Sequence, residues 1–282
     1  MAIFTNQATL SYQDNVVNSN IVTGEILEAI SATKTAVIDT YGAGDVITYI
    51  VSIVNSSAAP FNGLVVTDDL GAYTFGETTL VPLDYVADSV RYYVNGAIQA
   101  SPVVTYGTDL VISGINIPAG GNAVLVYETR ANEYAPPSEG SIVNTAEVSG
   151  GGLSEPVIAT ETVTPESGLS LTISKSVCPA VVTDNGQLTY TFVIQNTGNT
   201  ASVAADNIVV SDTFRPVLNP ITVTLDGSVL ADTEYSYDNT TGAFSTVSGV
   251  INVPAASYSQ DPVTGVWNVT PGIAVLEVTG TV

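Results

Sequence analysis

Shifted by 141 positions, the chain lies on itself. Lys34 to Ser57 falls on Lys175 to Gly198 without a gap, setting Lys34 on Lys175, Thr48-Tyr49 on Thr189-Tyr190 and Asn55 on Asn196. Two further blocks agree: Val65-Val66-Thr67-Asp68 falls on Val209-Val210-Ser211-Asp212, and Ala123-Val124-Leu125 on Ala274-Val275-Leu276. Such self-similarity means one folding unit used twice, so both halves must adopt the same fold. Each copy alternates apolar and polar residues, as in Val46-Ile47-Thr48-Tyr49-Ile50-Val51-Ser52-Ile53 and Leu188-Thr189-Tyr190-Thr191-Phe192-Val193-Ile194. Period-two runs rich in β-branched and aromatic residues, punctuated by Gly, Asn, Asp and Pro, predict half-buried antiparallel strands. Asn95-Gly96 and Asp226-Gly227 are the residue pairs of type I′ hairpin turns. No segment reads as a helix, and the expected class is all-β, with two tandem antiparallel sandwiches.

Three blocks carry a family resemblance. The segment Lys175 to Gly198 contains Leu188-Thr189-Tyr190-Thr191-Phe192-Val193-Ile194-Gln195-Asn196-Thr197-Gly198; the others are Val209-Val210-Ser211-Asp212-Thr213 and Asn144-Thr145-Ala146-Glu147-Val148. Together these resemble the conserved repeat domain of bacterial and archaeal cell-surface proteins. The resemblance covers most of the chain and implies Ig-like β-sandwiches, a surface or structural role and no catalysis. The first copy departs from it in reading Asn55-Ser56-Ser57 for Asn-Thr-Gly, and Leu70-Gly71 after Asp68-Asp69. These changes fall in turns.

The two copies end differently. The first continues past Ala123-Val124-Leu125 through Ile142 to Ser149, a Gly-rich turn and Val157 to Val163, a closing hairpin. The second reaches Val282 a few residues after Ala274-Val275-Leu276. A matching hairpin stands at the other end of the chain: Phe4-Thr5-Asn6-Gln7-Ala8-Thr9-Leu10-Ser11 falls on Ile142 to Ser149, and Val22 to Leu27 resembles Ala159 to Val163. The expected organisation is therefore an N-terminal donor hairpin (1–27), a complete first domain (28–163), a linker (164–168) and an incomplete second domain (169–282). A sandwich short of two strands exposes an unpaired edge, which invites an added strand. The hairpin is joined to the far end of the first domain by a short link, too short to close the gap in its own chain. Given to a neighbour, it makes a head-to-tail contact that does not close and so propagates as a fibre. The apolar donor residues are Phe4, Ala8, Leu10, Val22 and Ile26. The expected function is thus a structural subunit of an extracellular, cell-surface or spore-surface filament, polymerised by donor-strand complementation. The alternative is an Ig-like adhesin or binding module of a larger surface protein, with both ends arbitrary.

Charge and composition narrow the partners. Of 282 residues, 27 are Asp or Glu, 5 are Lys or Arg and none is His, a net charge of −22. Nucleic acid and anionic bilayers need clustered cations. Without His there is no Ser-His or Cys-His dyad and no common imidazole metal site. An enzyme is not expected, nor a cofactor, and the expected partners are copies of the same chain. No intact signal peptide stands in this numbering, and no apolar run of membrane-spanning length occurs.

Only two lysines are present, and they share one repeat position. Asn144 and Asn6 coincide on the closing and donor hairpins, and Asp68 and Asp212 coincide on the second strand block. Lysine, asparagine and a carboxylic acid in an apolar core are the ingredients of a spontaneous isopeptide bond. Burial disfavours charge, so a neutral amine can attack the asparagine amide while a protonated acid polarises it. The expected sets are Lys34, Asn144 and Asp68 within the first domain, and Lys175, Asp212 and the next subunit's Asn6 across the joint. Successive strand residues face opposite ways, so Asp68 and Asp69 make a poor acid/base dyad. Asp232, Glu234 and Asp238 offer hard oxygens that could hold Ca²⁺. Cys178, the single cysteine, aligns with Val37 and is expected to pack as a small apolar residue.

Overall fold

The computed structural model describes residues 2–26 and 29–282. The domain boundary expected between Leu27 and Glu28 lies outside the described residues, as does the side chain of Ile26. The chain divides into two compact units, one of Met1–Ala135 with Ser141–Thr164, the other of Pro136–Gly140 with Pro165–Val282. Both are all-β; a single 3₁₀ turn at Ala204–Asp206 is the one helical element among the described residues.

The first unit opens with β1 (Ala2–Asn6), β2 (Thr9–Tyr12), β3 (Asn15–Asn18) and β4 (Val22–Ile26), one long hairpin in which β1 pairs β4 and β2 pairs β3. It continues through β5 (Ile30–Ala36), β6 (Thr40–Tyr41), β7 (Val46–Asn55), β8 (Phe61–Asp68), β9 (Tyr73–Phe75), β10 (Thr78–Leu80), β11 (Leu83–Tyr85), β12 (Arg91–Val94), β13 (Ala97–Ile98), β14 (Val103–Tyr106), β15 (Leu110–Ile117), β16 (Asn122–Ala131), β17 (Ile142–Gly150) and β18 (Val157–Pro165). One sheet runs β13-β12-β16-β7-β5, with β11 also on β16, and the other β14-β15-β8-β17-β18-β6. Their inner faces meet in one core, where Tyr49, Val51, Leu125 and Tyr127 pack on Leu64, Val66, Ile112, Ala146 and Val148. The alternation that predicted strands is thus the alternation between this core and solvent.

The second unit holds β19 (Leu171–Cys178), β20 (Gln187–Asn196), β21 (Ser211–Thr213), β22 (Ile221–Leu225), β23 (Ser228–Val229), β24 (Tyr235–Tyr237), β25 (Ala243–Thr246), β26 (Ser257–Gln260), β27 (Trp267–Thr270) and β28 (Gly272–Thr281). Its larger sheet runs β19-β20-β28-β22-β23 and its smaller one β21-β25-β24. The repeat survives as strand register: Lys34 sits opposite Val51 and Lys175 opposite Phe192, both partners again 141 apart. The two expected tight turns form, with positive φ at Asn95 and Gly96 and at Asp226 and Gly227, the geometry a type I′ turn requires.

Asn55 and Asn196 explain why asparagine ends the long strand in both copies. Asn55 Nδ2 donates to the carbonyls of Ala59 (2.8 Å) and Pro118 (2.9 Å), while its Oδ1 accepts from the Ser57 amide at 3.0 Å. Asn196 repeats this with Thr200 (2.7 Å), Pro254 (3.0 Å) and the Gly198 amide (2.9 Å). Each amide ties a turn to a distant loop. Asn55→Ala removes these bonds at a fully buried site, and its denaturant titration is expected to lose about 2–3 kcal/mol of unfolding free energy.

Candidate functional site

Lys34 and Asp68 meet in the core of the first unit, Nζ 2.5 Å from Oδ2, with both side chains fully buried. The lysine comes from β5 and the aspartate from the end of β8, so the pair bridges the two sheets. Asp68 Oδ1 accepts from the Leu70 amide at 3.0 Å, and its Oδ2 also accepts from the Tyr127 hydroxyl. Lys34 Nζ stands 4.9 Å from the centroid of the Tyr49 ring, which stacks on Tyr127 at 6.0 Å. Burial lowers the pKa of Lys34, opposed by the charge and hydrogen bond of Asp68 and by the charges of Asp69 and Glu161. Burial raises the hydroxyls of Tyr49 and Tyr127 well above the ordinary phenol range. The site therefore favours neutral groups.

Asn144 completes this cluster. It lies on β17, two residues before Ala146, which sits opposite Asp68. It is fully buried, and neither atom of its amide has a protein hydrogen-bond partner. The Tyr49 hydroxyl lies close enough to the amide to be perturbed by it, yet outside hydrogen-bond geometry. Glu161, the register partner of Asn144 on β18, is also felt by Lys34. Asp69 points away from its neighbour, taking the amides of Thr145 at 2.8 Å and Gly71 at 2.9 Å. The two tyrosines are site residues that strand periodicity could not single out, because an inward aromatic on a strand reads simply as core.

The second unit repeats the pair in a more open setting. Lys175 is hydrogen-bonded to Asp212, but their side chains are 40% and 21% exposed. Three rings surround the ammonium, with centroids at 4.4 Å (Tyr190), 5.4 Å (Phe192) and 5.6 Å (Phe214). No hydroxyl replaces Tyr127: by strand register its place is taken by Val278. The difference in exposure extends along the strand. Ile30 and Lys34 of β5 are buried, whereas every residue of β19 is exposed, Leu171 and Lys175 included. In the first unit β8 is flanked by β15 and β17, while β21 has β25 on one edge and, among the described residues, no strand on the other.

The hairpin β1–β4 carries the remaining expected residues. Phe4, Leu10 and Val22 are 52%, 65% and 55% exposed, and Ala8 and Asn6 are exposed too. Ile3, Val17 and Ile21, not expected as donors, are also more than half exposed. One register differs from expectation. Alignment puts Val22 at Ala159, whose partner Ala146 corresponds to Ala8, whereas Val22 pairs with Asn6. The pairing also shifts by one residue between Asn6 and Thr9, on passing from β1–β4 to β2–β3.

One other expectation is corrected. Cys178 is exposed, as is its counterpart Val37, because this repeat position points outward in both units. The carboxylates considered for Ca²⁺ serve their own turns: Asp232 accepts from Tyr235 Oη, Glu234 from the Ala231 amide, and Asp238 from Thr240 and Thr241. Among the described residues no three Cys, Asp or Glu side chains are grouped to hold a metal. No helix among them is long and apolar enough to cross a membrane.

No protein-family model and no curated protein matches the chain. Among solved structures it is similar to a variant of BcpA, the major pilin subunit of Bacillus cereus, with 12% identity over 95% of this chain and 73% of that one, at a TM-score of 0.40. The pilus backbone RrgB from Streptococcus pneumoniae gives 13%, 86%, 55% and 0.35. The C-terminal domain of the AgI/II polypeptide BspA from Streptococcus agalactiae gives 12%, 89%, 91% and 0.36.

Proposed function

We propose that this chain is the structural subunit of a surface or extracellular filament, in which the β1–β4 hairpin of one copy completes the second unit of the next. The observation that carries this reading is the pairing of two unmet needs. A lone two-stranded hairpin is marginal in water, and this one presents Phe4, Leu10 and Val22 to solvent. The β21 edge is open where its counterpart β8 is paired with β17, and Leu171 and Lys175 of β19 are exposed where Ile30 and Lys34 of β5 are buried.

The repeat alignment supports one docking register. In the first unit Ala146 and Val148 lie opposite Asp68 and Val66. Ala8 and Leu10 hold the corresponding hairpin positions, and Asp212 and Val210 the corresponding edge positions. Docking in that register sets Ala8 against Asp212, Leu10 against Val210, and Asn6 beside the Lys175–Asp212 pair. Each of Phe4, Leu10 and Val22 that becomes fully covered contributes about 1.5–3 kcal/mol, and the ladder bonds of two strands add direction and register. This offsets an association cost of several kcal/mol.

Negative-stain microscopy of the purified chain and its Leu10→Asp variant tests the reading. The parent is expected to form unbranched fibres, and the variant, with a charge set into the docked core, to remain monomeric. Fibres of equal abundance from both proteins would overturn hairpin donation.

A further inference from the structure

The buried cluster of the first unit calls for an account that does not depend on polymerisation. A lysine and a carboxylate with zero exposure are costly to bury, and a buried asparagine amide with both atoms unpaired adds a further penalty. Three such groups buried in one core, on β5, β8 and β17, with the Tyr49 ring next to Lys34 and its hydroxyl next to Asn144, make little sense as packing. Their arrangement does make sense as reactants.

We infer that Lys34 and Asn144 join through an isopeptide bond formed within the first unit, with Asp68 as the catalytic residue. The 2.5 Å hydrogen bond lets a proton pass from Lys34 Nζ to Asp68 Oδ2, leaving a neutral amine beside a neutral acid. Nζ attacks Asn144 Cγ, and Asp68 gives its proton to Oδ1 as the carbonyl becomes tetrahedral. The carboxylate then takes a proton from Nζ and passes it to Nδ2 as the Cγ–Nδ2 bond breaks. Collapse of the intermediate returns the Oδ1 proton to Asp68. One N–C bond forms, one breaks and ammonia leaves; Asp68 ends holding the proton it took from Lys34 at the outset, and no oxidant or nucleotide is required. Tyr127 is a positioning residue, since its hydroxyl donates to the Asp68 oxygen that handles the proton. The product amide is neutral, so the bond removes the buried charges and uses the unpaired asparagine in one step.

Intact-mass measurement on the purified full-length chain provides the test. The monomer is expected about 17 Da below its sequence mass, the loss of one ammonia, and tandem spectra are expected to show one branched peptide joining Lys34 to Asn144. Lys34→Met, Asn144→Ala and Asp68→Asn should each return the full mass. Tyr127→Phe should slow the appearance of the lighter species after synthesis without abolishing it, whereas a merely structural role would leave that time course unchanged. A folded parent of unreduced mass, or a lost ammonia mapped to any other pair, overturns the inference regardless of whether fibres form.

Discussion

Fibres of the full-length chain, boiled in detergent and run on a gel, are expected to resolve into a ladder of multimers, and Lys175→Ala is expected to reduce the ladder to a single monomer band. The second unit holds the same lysine–aspartate pair as the first, in the same strand register, and among its described residues no strand that sets an asparagine beside the pair as β17 does in the first. Donation would supply one, because Asn6 occupies on the hairpin the place of Asn144 on β17. Docking would also bury a pair that is 40% and 21% exposed in the free unit, and burial is what disfavours the charged amine. The chemistry at the joint would therefore begin only once a neighbour is seated. Asn6→Ala should behave as Lys175→Ala does, while Lys34→Met should leave the ladder intact. With Val278 in place of Tyr127, the joint has one donor fewer on its acid, so its bond should form more slowly than the one inside the first unit. Fibres that microscopy shows but boiling fully dissolves would remove the joint bond and leave hairpin donation standing.

A chain from which residues 2–26 have been deleted is expected to stay monomeric at any concentration and to bind the separate 2–26 peptide one to one. The deletion spares the core of the first unit, which begins at Ile30. The peptide should act on the second unit alone. At a hundredfold excess over its Kd it should raise that unit's unfolding free energy by about 2.7 kcal/mol, visible as an upward shift of one thermal transition. Hydrogen exchange should slow at Val209 to Thr213 and along β19, the segments left open in the free unit. A shortened chain that polymerises as well as its parent would refute the scheme, as would a peptide whose protection falls elsewhere.

Most of the fold was legible because a repeat constrains itself. The alignment of Lys34 with Lys175 fixed not only two domains but the same cross-strand partner in each, Val51 and Phe192. Turn chemistry was equally plain at Asn95-Gly96 and Asp226-Gly227, where the backbone needs positive φ twice in succession. The meeting of Lys34 with Asp68 could be read because two charged residues recurred at apolar strand positions. The phenols around them could not, since Tyr49 and Tyr127 look like any inward aromatic. Register in the hairpin failed at Val22, which pairs two residues away from its expected partner, an offset that leaves no mark in the pattern of residue types. Cys178 was misplaced for a related reason. A small thiol suits a core, but the last position of β19 faces outward in this repeat, as Val37 also does.

In the first unit Lys34 stands on β5 and Asn144 on β17, with most of the domain's chain between them, and under tension that placement matters. In the proposed filament a pull would enter the first unit at β5 and leave through β18, which is laddered to β17. A covalent tie from Lys34 to Asn144 would carry that pull across the sandwich directly. Residues 35–143, roughly 350 Å of extended contour, would lie outside the load path and could not be paid out as slack. The filament would then behave under force as an inextensible cord, whose length is set by folded units rather than by how many of them have given way.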